Sequence, residues 1–165
     1  MMKDRYRKKG SWRSFIEPER REEVVSNIAA IRDAVDGKRI ILVDDSIVRG
    51  TSSRTIVGDK LRGARDVSLL LTFPPIMYPC YAGIDFPTQE ELLAYRVSGT
   101  SKSLDEINKT VANHLGVSTL GYADVETLSE CIGMSKDQLC LSCATGDYSC
   151  LKRKPKFMTR EEMKS

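Results

Sequence analysis

At 165 residues the chain is long enough for one compact domain and too short for two comfortable ones. No apolar run approaches the ~20 residues that span a bilayer, and the polar N-terminus has no signal-peptide core, which argues against membrane insertion or export. A cytoplasmic location is expected, with the five cysteines present as reduced thiols or metal ligands rather than disulfides.

Charge is unevenly placed. Residues 1–21 carry a net +5 and residues 151–165 a net +4, so residues 22–150 hold −6 of the +3 total. Basic ends can meet nucleic acid or acidic partners, but solvated tails are the commoner cause, and no aromatic interleaving or reader motif supports nucleic acid.

In chain order, residues 1–17 read as a basic arm or flexible loop. Pro18 opens a helix-like stretch to residue 35, with Val24, Val25, Ile28, Ile31 and Val35 at helical spacing. Residues 39–44 form an apolar strand, and four consecutive apolar residues, Ile40 to Val43, fit a strand buried on both faces of a parallel sheet. A helix from about 53 to 61 follows, with Gly63 as its stop, then a second strand over 66–73. This βαβ order predicts an α/β fold.

Pro74, Pro75 and Pro79 enforce an irregular segment. Short helices suit 88–95 and 103–115, a short strand 119–122, and Asp124 caps a helix running to about 132. From residue 134 the chain has little periodicity and is rich in cysteine. The division that follows is a basic arm over 1–17, an α/β domain over 18–125, a cysteine-containing segment over 126–151 and a disordered basic tail over 152–165.

The most informative stretch runs from the first strand into the next helix. Asp44 and Asp45 lie at the strand's carboxyl end, where ligands of open α/β sheets bind. Carboxylates accept hydrogen bonds from a ribose diol and suit a hard cation such as Mg²⁺. In the loop Ser46, Ile47, Val48, Arg49, Gly50, Thr51 and Ser52, the glycine allows close backbone approach to a phosphate. The hydroxyls of Thr51, Ser52 and Ser53 add donors. Arg49 either adds charge or points to solvent. The plainer alternative makes Asp45 and Ser46 ordinary turn and cap residues. No Walker loop and no dinucleotide fingerprint is present.

The string ILVDDSIVRGTS at 41–52 closely resembles the phosphoribosyl pyrophosphate motif of type I phosphoribosyltransferases, and its wording is similar to that of the amidophosphoribosyltransferase family. PPIMYPCYAGID at 74–85, QEELLA at 89–94 and CLSCATGDY at 140–148 resemble the same family in the same order. The resemblance implies a partial type I phosphoribosyltransferase fold, a Rossmann-like parallel sheet with a helical C-terminal segment. It implies that Asp44 and Asp45 hold the ribose hydroxyls and Mg²⁺, and that 46–52 holds the 5′-phosphate. It also implies that Arg13, in an arm that closes over the pyrophosphate leaving group, serves catalysis. The arm holds about four residues more than the family pattern.

Cys140 and Cys143 form a C-x-x-C, a spacing that suits two thiolates converging on one metal or cluster. The resemblance carries three ligands of a [4Fe–4S] cluster onto Cys80, Cys140 and Cys143, and has no match for the fourth. Cys131, Cys150, a partner chain or an external ligand would complete it. Zn²⁺ held by Cys131, Cys140, Cys143 and Cys150 is the metal alternative, and inert buried thiols the plainer one. His114, the single histidine, is given no role.

The family also has a glutaminase domain and an upstream half of the phosphoribosyltransferase domain, which find no match here. The expectation is therefore a fragment or split subunit that binds phosphoribosyl pyrophosphate for phosphoribosylamine formation in purine biosynthesis. It would be incomplete as an enzyme alone, and would require a partner chain with the upstream half or self-association. A non-catalytic binding module for phosphoribosyl pyrophosphate or nucleotide, and a cysteine–metal assembly module, are the alternatives.

Overall fold

A computed structural model of the chain describes residues 2–3, 28–81, 88–100 and 103–151. Three parallel strands organise it: β3 (Arg39–Asp44), β4 (Asp66–Leu71) and β5 (Thr119–Tyr122), in the order β3-β4-β5. A separate antiparallel pair joins β1 (Met2–Lys3) to β2 (Ile28–Ala29). The helices are α1 (Arg32–Val35), α2 (Thr51–Thr55), α3 (Leu93–Ser98), α4 (Leu104–Leu115), α5 (Val125–Ile132) and α6 (Ser142–Thr145).

Side chains alternate across a strand, so the register sorts the sheet into two faces. On one, Leu42 lies beside Leu69 and Leu120, and Asp44 beside Leu71 and Tyr122. Leu69 is fully buried there, packed with Ile47, Leu93, Ile107, Val111 and Leu115. A smaller cluster of Val35, Ile56 and Leu61 covers Ile40 and Val67 on the same side. The other face carries Ile41 beside Ser68 and Val43 beside Leu70.

That second face corrects the reading of β3 as buried on both sides. Ile41 is 67 % exposed and Val43 61 %, with Leu70 exposed beside them. The helices that pack on this sheet lie on its Leu42–Leu69–Leu120 side, and β4 is the partner of β3 among the described residues. An unbroken apolar run specifies two covered faces only when something lies over both.

The helix expected over 18–35 is also revised where it can be followed. Ile28 and Ala29 are extended and paired to Met2 and Lys3, and helix persists only over Arg32–Val35. Of its apolar positions whose burial is described, Val35 is buried and Ile31 half exposed. Residues 18–27 lie outside the described residues.

The remaining elements follow their local chemistry. α2 continues over Ile56–Lys60 with wider turns, ending where the Leu61 N–H reaches the Ile56 carbonyl at 2.9 Å. Ser103 caps α4 by accepting the Glu106 N–H at 3.2 Å, and Asp124 caps α5 by accepting that of Thr127 at 2.6 Å. The 88–95 region divides into a tight turn at Gln89–Glu91 and the start of α3.

Candidate functional site: the acidic pair and its loop

β3 ends in the acidic pair. Asp44 belongs to the covered face and is half-buried, whereas Asp45 is exposed. Burial holds the Asp44 carboxyl above the usual aspartate range; the Asp45 N–H lowers it in part, and the Asp45 charge raises it again. Asp44 Oδ1 accepts the Asp45 N–H at 3.0 Å, and Asp45 Oδ1 accepts the Ser46 N–H at 2.6 Å. These bonds fix the carboxylates through their Oδ1 atoms. The Thr72 and Phe73 N–H groups, just past β4, reach the carbonyls of Asp44 and Asp45 at 3.1 and 3.0 Å. The pair is therefore anchored through both side chain and backbone.

The loop beyond is anchored from behind. Ile47 is buried in the core, which turns the intervening polar residues toward the rim. Gly50 has φ +79°, a left-handed conformation natural to glycine, and a Cβ there would meet Leu93 Cδ2 at 2.5 Å. The Leu93 N–H donates to the Val48 carbonyl at 2.7 Å. α2 starts directly after Gly50, and its first closing bond runs from the Arg54 N–H to the Gly50 carbonyl at 2.9 Å.

Arg49 neither faces solvent nor offers uncommitted charge. Its Nε lies 2.8 Å from Glu91 Oε2, and the two side chains are only 14 % and 21 % exposed. Glu91 is the residue that sequence reasoning missed: it sits in the QEELLA string but carried no signal of pairing across 42 positions.

Asp44, Asp45 and the 46–52 loop thus come together at one strand-to-helix junction. Two hard oxygen donors side by side fit Mg²⁺ chemically. Arg13 lies outside the described residues. His114 is exposed near the end of α4.

The cysteines gather elsewhere, where the C-terminal segment docks on the proline-rich loop. The Met77 and Tyr78 N–H groups both donate to the Cys143 carbonyl, at 2.9 and 3.0 Å, and the Tyr148 hydroxyl donates to the Pro79 carbonyl at 2.7 Å. Cys80 and Cys143 are half-buried; Cys131, Cys140 and Cys150 are exposed. Burial pushes the Cys143 thiol up to about 11, with the neighbouring Cys80 and Cys140 adding to it. A Ser142 N–H beside Cys140 brings that thiol below its usual range.

The Cys140 sulfur lies 4.0 Å from that of Cys150, and Cys140 is also a charge neighbour of Cys143. Among the described residues no three His, Cys, Asp or Glu side chains stand where they could hold one metal ion. As placed, the described thiols do not form a closed single-ion zinc site.

A parallel sheet whose first strand ends in an acidic pair and leads through a glycine-bearing loop into a helix has the architecture of a segment of the type I phosphoribosyltransferase class. Proteins called amidophosphoribosyltransferase are 43 % identical over 141 residues in Methanothermobacter thermautotrophicus, 39 % over 153 in Methanocaldococcus jannaschii and 43 % over 145 in Bacillus subtilis. These alignments cover 82 %, 90 % and 82 % of the chain, but 28 %, 30 % and 28 % of the relatives. A solved structure described as the allosteric regulatory enzyme of purine biosynthesis matches with a TM-score of 0.64 and 40 % identity, over 90 % of this chain and 31 % of that one.

Over most of its length the chain is a homologue of the amidophosphoribosyltransferases, corresponding to the C-terminal part of their phosphoribosyltransferase domain. It spans less than a third of the length of these relatives. No protein-family profile matches the chain.

Proposed function

We propose that this chain binds phosphoribosyl pyrophosphate together with Mg²⁺, as one part of an amidophosphoribosyltransferase site that forms phosphoribosylamine for purine biosynthesis. The carrying observation is the junction of β3 and α2: Asp44 and Asp45 at the strand end, followed by a loop with left-handed Gly50 leading into the helix.

Asp44 and Asp45 would hold the ribose diol and the cation, and residues 46–52 the 5′-phosphate. Mg²⁺, when bound, would neutralise charge on the pyrophosphate. Arg13 is proposed to meet the same leaving group. Displacement by ammonia at the anomeric carbon requires positioning and charge stabilisation more than a strong base, so the lack of a Ser/His or Cys/His dyad is consistent.

The open apolar face of β3 and β4 supports the partner part of the proposal. A partner chain with the upstream half of the domain, or a second copy of this chain, would cover Ile41, Val43 and Leu70. Light scattering at increasing concentration tests the second copy. No helix among the described residues is long and apolar enough to cross a membrane. Reduced thiols fit the proposed cytoplasmic setting. An iron–sulfur role for Cys80, Cys140 and Cys143 has the electrostatic neighbourhood of Cys143 in its support and the unmatched fourth ligand against it. Visible absorption and metal content of anaerobically purified protein decide it: colourless, metal-free protein removes the cluster.

Calorimetric titration of phosphoribosyl pyrophosphate, with and without Mg²⁺, is the central test. Asp44→Asn and Asp45→Asn should each weaken Mg²⁺-dependent binding, and unchanged affinity in both would overturn the assignment. Ammonia-dependent pyrophosphate release then separates enzyme from binding module. Binding without turnover, even with an upstream partner added, would favour the non-catalytic module.

A further inference from the structure

Arg49 lies inside the proposed phosphate loop, where the sequence leaves it either to add charge or to face solvent. Its surroundings give it a different task. The guanidinium Nε is 2.8 Å from Glu91 Oε2, and both side chains are mostly withdrawn from water. Redirecting Arg49 to a bound phosphate would break this ion pair in a setting mostly withdrawn from water, and removing one member of a largely buried pair is much costlier than removing both.

Two further attachments arise within two residues of Glu91. The Leu93 N–H binds the Val48 carbonyl at 2.7 Å, and the fully buried Leu93 side chain fills the space against Gly50. Three consecutive loop residues, Val48, Arg49 and Gly50, are therefore held by residues 91–93. That segment is anchored in turn, because Leu92 is fully buried and Gln89 Nε2 donates to the Met77 carbonyl at 3.0 Å.

We propose that Glu91 is a positioning residue for the phosphate loop: it holds Arg49 on the loop's inner side and leaves the anion to the loop's backbone N–H groups and hydroxyls. This rests on the reading of residues 46–52 as a phosphate loop and adds how that loop is kept in shape. The Arg49–Glu91 pair sets the path of the backbone, and its charges cancel. Specificity for the phosphate then comes from N–H direction, and Arg49 acts on the ligand only through the loop.

The test is a double-mutant cycle on the full chain with Glu91→Ala, Arg49→Ala, the double variant and Glu91→Asp. Two readouts are taken: affinity for phosphoribosyl pyrophosphate with Mg²⁺, and hydrogen exchange of the 46–52 amides without ligand. Glu91→Ala should weaken binding by about tenfold and speed loop exchange, while the double variant binds better than Glu91→Ala alone. Glu91→Asp should recover part of the loss. A double variant weaker than either single one would make Arg49 a direct phosphate ligand and overturn the proposal. Unchanged loop exchange and affinity in Glu91→Ala would do the same.

If the native chain binds no phosphoribosyl pyrophosphate while Glu91→Ala still speeds exchange in the loop, the binding assignment fails and the positioning role stands. If Glu91→Ala does not fold, Glu91→Gln takes its place in the cycle and the same ordering against its double with Arg49→Ala decides.

Discussion

Gly50→Ala is the sharpest single perturbation the fold offers. Two costs combine at this position. The left-handed conformation at φ +79° costs an L-residue about 1–2 kcal/mol. The new Cβ also falls 2.5 Å from Leu93 Cδ2, inside van der Waals contact, and Leu93 is fully buried and cannot swing away. Overpacking of this kind costs about 1–3 kcal/mol. The sum is roughly 2–5 kcal/mol.

Gly116 supplies the control. It is also left-handed, at φ +73°, but a Cβ there meets nothing within 4 Å. Gly116→Ala should therefore show the conformational cost alone, about 1–2 kcal/mol. The difference between the two variants isolates the Leu93 contact, and equilibrium urea unfolding measures both. Equal destabilisation would refute the argument that Leu93 forms the back of the loop. Because Gly50 lies in the proposed phosphate loop, its variant should lose ligand affinity as well, whereas Gly116→Ala should keep it.

Leu69→Ala, at the fully buried centre of β4, should cost about 2–5 kcal/mol in the same assay, while Val43→Thr on the open face should stay within about 0.5 kcal/mol. The Tyr122 hydroxyl is buried with no hydrogen-bond partner among the described residues, so Tyr122→Phe should be neutral or stabilising by about 1 kcal/mol; a clear loss would show that the hydroxyl is satisfied. With its thiol near 11, Cys143 is thiolate in only about one molecule in a thousand at pH 8, so iodoacetamide followed by peptide mapping should label Cys140 well before Cys143. The Thr127 N–H holds the Asp124 carboxyl below its usual range, so its contribution is present above the unfolded value of about 3.9 and lost as pH falls through the depressed one; Asp124→Ala should flatten the acid limb of the stability curve.

Much of the fold was legible because its signals are local. The β3, β4 and β5 runs, the Asp124 cap and the proline breaks are each dictated by neighbours in sequence. So was the acidic pair with its loop, because strand end, carboxylates and glycine follow one another directly. What escaped depends on partners distant in sequence. Nothing near Arg49 announces Glu91, 42 positions away, and nothing in Ile40 to Val43 says that one face lies uncovered. The C-x-x-C spacing fixes a separation along the chain but not the direction of each thiol, so it did not say which of the other cysteines the Cys140 sulfur approaches. In the same way, a helical stripe and an extended pairing compete for Ile28 and Ala29, and pairing with Met2 and Lys3 wins.

The carbonyl of Cys143, which receives the Met77 and Tyr78 amides together, has a consequence for the order of events during synthesis. The donors emerge from the ribosome more than sixty residues before their acceptor. At roughly 5–20 residues per second the proline-rich loop waits about 3–13 seconds for it. Through that interval Ile76 and Met77, both buried in the finished fold, lack the segment that secures their loop. The sheet strands can pair before this corner can close, and a chaperone that holds nascent apolar loops would find its opportunity there.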